Sequence, residues 1–418
     1  MSSDIAAPMP PRQLGAGEFV ALLAMLMALQ ALGVDSMLPA LDRIAQDLHL
    51  ASANQRQLVI GVFLIAAGLT ALIPGPLADR FGRRPVVLGA LGGYVALSLA
   101  CALAPTFPLL LAGRVGMGLF GSALSVLPTA IIRDRFEGDR MARTQSLVGM
   151  VFMVVPMLAP TLGQAVLLVA GWRWIFGVMA LAGVALAAWV ALRLPETLRP
   201  EFRQPLNPRA VATTLRRVLT CRPAIGYVLG MALVQGALLG YINCSEQLVA
   251  EHFGAGAHFP LVFGGMALCM ASTNFINSRI VERFGARRVS HSAVLFYIAI
   301  SLNHWVVARS GHETLALFVP LMAANMCLMA FLGANFSSIA LQPFLETAGA
   351  AAGAQMFVRM TLGSVLGALI GAAYDGTAAP LAMAMVLAGS GALLLVMFSE
   401  GGRLFRRVYP RGAPRPVV

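Results

Sequence analysis

Apolar runs of about 20 residues, the length a helix needs to cross bilayer hydrocarbon, recur about a dozen times along this chain, and each ends in a short polar connection, usually with arginine. The chain is 58% hydrophobic and only 11% charged, against about 25% charged in an ordinary soluble domain. Twelve crossings consume most of its length. The expected fold is an all-α polytopic membrane protein with twelve transmembrane helices.

Two connections stand out. Gly75 to Arg84 reads Gly-Pro-Leu-Ala-Asp-Arg-Phe-Gly-Arg-Arg, and Ser278 to Arg287 reads Ser-Arg-Ile-Val-Glu-Arg-Phe-Gly-Ala-Arg. Glu282, Arg283, Gly285 and Arg287 repeat Asp79, Arg80, Gly82 and Arg84 at a constant offset of 203 residues, close to half of 418. That repeat predicts two homologous, pseudo-symmetric bundles of six helices. The spans of the first fall near Glu18–Pro39, Gln57–Ala78, Pro85–Leu103, Phe107–Ile131, Thr144–Val169 and Trp172–Leu192. Those of the second fall near 223–245, 259–278, 289–308, 314–336, 351–373 and 379–398. The expected units are a lead at 1–16, a first bundle at 17–192, a linker at 193–222 with seven arginines, a second bundle at 223–399 and a basic tail at 400–418. The first run carries Gln30 and Asp35 and no small-residue cleavage pattern, so a removable signal peptide is not expected.

The net charge of +12 comes entirely from arginine, with no lysine in the chain. A nucleic-acid-binding domain gathers its basic groups on one soluble face, whereas these sit in the connections. Arg43, Arg56, Arg173 and Arg309 fall on one side of the membrane, Arg114 and Arg359 fall within spans, and every other arginine falls on the opposite side. By the positive-inside bias the hinges and both termini face the cytoplasm. Five isolated cysteines and six scattered histidines show neither disulfide nor metal-ligand spacing. No nucleophile–base set or phosphate loop stands in a plausible context. Neither an enzyme nor a cofactor or metal is expected.

Gly75, Asp79, Arg80, Gly82, Arg83 and Arg84 resemble the loop 2–3 signature of the major facilitator superfamily. Further stretches are similar to its bicyclomycin/chloramphenicol-resistance branch. They are Asp35-Ser-Met-Leu-Pro-Ala-Leu, Arg114-Val-Gly-Met-Gly, Arg133-Asp-Arg-Phe-Glu-Gly-Asp, Ala159-Pro-Thr-Leu-Gly163 and Gly171-Trp-Arg-Trp-Ile-Phe, with Ala334-Asn335 and the Arg359 region in the second half. Gln164, where the branch has a second glycine, and Glu246 in span 7 depart from its pattern. The resemblance implies a proton-coupled exporter of small drug-like compounds in a bacterial inner membrane. It also implies an interface role for span 5 through Pro156, Pro160 and Gly163. A proton-coupled nutrient permease is the alternative on the same fold, and a non-transporting sensor the alternative of another class. One chain can enclose its own path, so a monomer is expected.

An ionisable side chain inside a span is costly unless paired or hydrated, and usually marks a pathway. Asp35 and Arg114 lie about 6 Å and about 10 Å from the ends of their spans at 1.5 Å per residue, on the same side. Their similar depth suggests a proton-carrying acid tuned by a fixed cation, or else contact with headgroups or a structural pair. Gly116, Gly118 and Gly121 read first as packing residues. The hinge reads as a latch with Arg133, Asp134, Glu282 and Arg283 as candidate partners, or simply as a determinant of topology. Gln30, Gln235, Glu246, Asn335 and Arg359 are the cavity candidates. Pro156 and Pro160 are expected to bend span 5.

Overall fold

The computed structural model of the chain describes residues 14–50, 52–136, 138–198, 201, 203, 205 and 208–405. Most of the expected lead and tail lies outside them. The helices are α1 (Ala16–Asp35), α2 (Leu41–Asp47), α3 (Leu58–Thr70), α4 (Pro74–Phe81), α5 (Arg83–Ala102), α6 (Phe107–Arg135), α7 (Gly138–Val169) and α8 (Arg173–Arg193). After the connection come α9 (Pro208–Thr220), α10 (Arg222–Gln247), α11 (Phe259–Phe284), α12 (Ala286–Arg309), α13 (Leu315–Leu341), α14 (Ala348–Ala372) and α15 (Ala379–Ser399). Among the described residues, 11 helical segments are long and apolar enough to span a membrane, and α3 with α4, bent by 51°, makes a twelfth. Leu181, Leu192, Leu261, Leu369, Leu387 and Leu394 are exposed on the outside, an apolar surface that lipid, not water, would cover.

Four local expectations need correction. The first span does not stop near Pro39: a 3-10 turn at Leu38–Ala40 carries it into α2 and on to Asp47. Proline has no N–H to offer the carbonyl four residues back, here that of Asp35, so the α-helix breaks there while the span continues. The second span is bent because its last turn reaches Pro74 within four residues of Thr70. The basic connection after span 4 is mostly helical, since α6 continues through Arg135 and α7 starts at Gly138. The linker holds α9, whose arginines and small apolar residues alternate at helical spacing. Pro156 and Pro160 both lie inside α7, which runs unbroken over 32 residues.

Within each half, small residues let helices approach. A Cβ at Gly118 would run into the backbone of Phe63 on α3, Gly116 abuts Leu97, and Gly121 sits beside Phe63 and Gln30, which agrees with packing roles for all three. Between the halves, α3 packs against α14 and α7 against α11. A Cβ at Gly68 would lie 2.9 Å from the Met360 carbonyl carbon, and the Ser364 hydroxyl donates to Leu64 O at 3.0 Å. Gly264 meets Met157 of α7 in the same manner, 3.2 Å from its carbonyl oxygen.

Candidate functional site

At the first hinge, Gly82 takes φ +100 between α4 and α5. Arg83, only 2% exposed, donates to Asp134 of α6 at 2.7 Å and pairs with Asp79 at 2.7 Å. Glu196, just past α8, accepts the backbone N–H groups of Arg83 and Arg84 at 2.8 and 3.2 Å. Arg80 stacks on Phe81 at 5.2 Å. The second hinge repeats the turn with Gly285 at φ +86 and the stack with Arg283 on Phe284 at 5.4 Å. Its anchor is Arg287, which donates to Glu400 at 2.7 Å and to Gln342 at 2.8 Å. Glu400 also accepts from Tyr227 at 2.8 Å. Burial raises the Glu400 pKa, but the Arg287 and Tyr227 hydrogen bonds outweigh it and hold the carboxyl below its ordinary range. Of the expected latch partners, Asp134 meets the hinge and Arg133 is exposed with no ion pair among the described residues. The Glu282 side chain lies outside the described residues.

Asp35 is 5% exposed, and its carboxylate has neither a hydrogen-bond nor an ion-pair partner among the described residues. It closes α1 at the break before Pro39. Gly163 of α7 crosses that break so closely that a Cβ there would overlap the Ser36 carbonyl. Arg114 is fully buried, but it does not pair with Asp35. Its Nε donates to Val59 O at 2.7 Å, its guanidinium lies 4.4 Å from the Phe63 ring centroid, and its terminal nitrogens have no hydrogen-bond partner. At 100° per residue Asp35 stands about 200° around α1 from Gly33, and Gly33 is the residue that touches Phe63 and Tyr94. The acid therefore faces away from the aromatic core holding the arginine.

Mid-membrane, α10, α11, α13 and α14 enclose a cavity of about 340 Å³. It gathers two of the expected residues, Gln235 and Arg359, with Asn274 and Ser337 and a thioether wall that includes Met231, Met270 and Met329. Asn335 is buried instead, donating to Asn277 at 2.9 Å and to Phe331 O at 2.8 Å. Gln30 packs beside Gly121 and does not line this space. Glu246 lines a second cavity of about 220 Å³ with Arg43 and Gln164, at the end away from the hinges.

That far end carries most of the polar contacts joining the halves. Arg56, 2% exposed, pairs with Asp42 at 2.7 Å and with Glu251 of the other half. Gln57 bonds Gln247, and Asn54 donates to Tyr374 O at 2.9 Å. At the hinge end no hydrogen bond or ion pair between the halves occurs among the described residues. The sequence reading missed this closure by treating Arg56 as a loop arginine. The available signal was its position on the arginine-poor side, where a basic group needs a specific partner.

Twelve spans in two six-helix halves, closed at one end around polar groups at mid-membrane, define a polytopic membrane transporter. A sequence profile of the Major Facilitator Superfamily matches residues 23–372, and the chain belongs to that family. It is 29% identical over 374 residues to a bicyclomycin resistance protein homolog of Haemophilus influenzae, covering 88% of this chain and 92% of that one. It is 28% identical over 381 residues to the multidrug resistance protein MdtL of Escherichia coli, covering 90% and 94%. The human organic anion transporter MFSD10 (TETRAN) shares the fold, with a TM-score of 0.68 over 93% of this chain and 100% of that chain at 18% identity. Like its relatives, this protein is a transporter and not an enzyme.

Proposed function

We propose that this protein is a proton-coupled antiporter. It exports small amphipathic compounds, such as bicyclomycin- or amphenicol-like drugs, across a bacterial inner membrane by alternating access. The units at 17–192 and 223–399 rock about the α3/α14 and α7/α11 contacts, joined by 193–222. Both termini and both hinges face the cytoplasm, and a single chain forms the path. The far-end contacts around Arg56 then close the outside, and the hinge end opens inward.

The observation that carries the reading is Asp35, a buried and unpartnered carboxylate at a break in α1 against the α7 crossing. Desolvation favours its neutral form, while hydration or a nearby cation favours its anion. Rearrangement of α1 against α7 therefore changes its proton affinity. Arg114, which keeps its charge, offers two unbonded nitrogens as the fixed cation for the state in which Asp35 is ionised. Downhill return of the proton drives export, each charge being worth about 2.3 kcal/mol per 100 mV. The relatives' names support small drug-like cargo.

The test is bicyclomycin and chloramphenicol susceptibility of a pump-deficient bacterium, with pH-gradient-driven dye uptake into everted vesicles prepared from it, where the cytoplasmic face is outermost. Wild type and Asp35→Asn are compared at matched protein levels. Wild type is expected to raise resistance and to move dye with the gradient, and Asp35→Asn to lose both. Retained gradient-driven transport in Asp35→Asn would remove Asp35 as the coupling acid.

A further inference from the structure

The mid-membrane cavity has one charged lining residue, and no acid among the described residues pairs with it. Arg359 stands on α14, about 17 Å from the start of that helix at 1.5 Å per residue, and lines the cavity. Nε has no hydrogen-bond partner, and Nη2 reaches only the Met356 sulfur at 2.8 Å, a weak acceptor. No Asp or Glu lines the cavity, and Arg359 forms no ion pair among the described residues. The Gln235 and Asn274 amides, also without hydrogen-bond partners among the described residues, face the same space with the Ser337 hydroxyl. The rest of the wall is largely aliphatic and thioether, a soft surface that adapts to varied apolar shapes.

An arginine fork without a counter-ion, flanked by amide donors and set in an apolar wall, is the complement of an anionic head on an apolar body. A cationic compound would meet the like charge of Arg359 with no acid to offset it. We propose that this cavity is the substrate site and that it selects amphipathic organic anions, with Arg359 forking onto a carboxylate or sulfonate while the methionine wall holds the ring system. The cavity volume suits such a ligand, since sites for drug-sized molecules begin at about 300 Å³. This rests on the transporter reading above but neither on the uncharged drugs named there nor on proton coupling through Asp35, because the lining of the cavity sets its own preference and binding needs no gradient.

Equilibrium dialysis of the full chain in nanodiscs, at pH 7.5 and with empty nanodiscs subtracted, compares 2-naphthoate with its neutral isostere 2-naphthamide. Wild type is expected to bind naphthoate at least about tenfold more tightly, as befits a charge-assisted pair. Arg359→Met, matched to the surrounding thioethers, should bring the ratio to about one while keeping naphthamide binding. Arg359→Lys should keep part of the preference, and Asp35→Asn all of it. Inorganic sulfate should displace naphthoate at least about tenfold more weakly than unlabelled naphthoate does. Equal binding of the two naphthyl compounds by wild type, or an undiminished preference in Arg359→Met, would overturn the assignment. Sulfate competing as well as naphthoate would refute the amphipathic part. No gradient-driven transport by wild type, or retained transport by Asp35→Asn, with the binding preference intact would count against the coupling reading alone.

Discussion

The two hinges share a backbone and differ in their charges. Gly82 and Gly285 make the same positive-φ turn, and Arg80 and Arg283 lie on the phenylalanines that follow them. The buried cation of the first hinge, Arg83, has Ala286 at the repeat position, and where Asp134 near the end of α6 meets the first hinge, the uncharged Gln342 just past α13 meets the second. Both members of the ion pair are neutral in the second half. The second hinge is held instead by Arg287 on Glu400, while the first has Glu196 on backbone amides. A turn that only glycine adopts cheaply tolerates little divergence, whereas a buried charge can disappear provided its partner goes too.

The largest expected effect tests that pairing. Asp134→Ala leaves Arg83 buried with only Asp79, and should destabilise the protein by ~3 kcal/mol, read as a lower melting temperature in detergent. Arg83→Ala combined with Asp134→Gln leaves both places uncharged, as they are at the second hinge, and should recover most of that loss. A double variant as unstable as the sum of the singles would break the comparison.

Gly82→Ala and Gly285→Ala come next. Each forces an L-residue into a left-handed conformation, at about 1 kcal/mol or more. Gly82→Ala should melt lower of the two, because its Cβ would overlap the Glu196 carboxylate that holds the Arg83 and Arg84 amides, while nothing lies within 4 Å at Gly285. Equal losses would mean that the Glu196 clamp contributes nothing.

A smaller effect separates the anchors by pH. The folded-state pKa of Glu400 is lowered, so its contribution is present above the ordinary carboxylate value and is lost as pH falls through the lowered one. Glu400→Gln should therefore melt below wild type at pH 7, and the gap should close at pH values well below about 4. The smallest shifts, under about 1 kcal/mol, are expected for Arg80→Ala and Arg283→Ala, whose cation–π contacts lie at the surface. They should be equal if the stack is a common feature of both hinges.

The spans and hinges were legible because hydrophobic length and the glycine-containing repeat are local properties. The site was legible in its residue types and not in its grouping. Counting from span ends brings Asp35 and Arg114 to similar depth, yet the first span runs on past Pro39 to Asp47, and the 200° between Gly33 and Asp35 around α1 turns the acid from the arginine. Asn335 and Arg359 looked alike as polar residues in spans. Asn277 satisfies the first, while no acid among the described residues pairs with the second. The helix α9 was hidden by the prolines ahead of it, and the continuation to Asp47 by Pro39, which breaks an α-helix without ending a span.

The sequence by itself determined a membrane protein of twelve crossings in two related halves, because an apolar run has one stable solution in lipid and a repeat at half-length has one origin. The tertiary structure alone decided which polar groups meet. Arg56 finds Asp42 14 residues before it and Glu251 195 residues after it, and Arg359 finds a cavity with no acid in its lining. These depend on how each helix is rotated about its axis and on which neighbour it faces, and helix rotation is set by packing between helices distant in the chain.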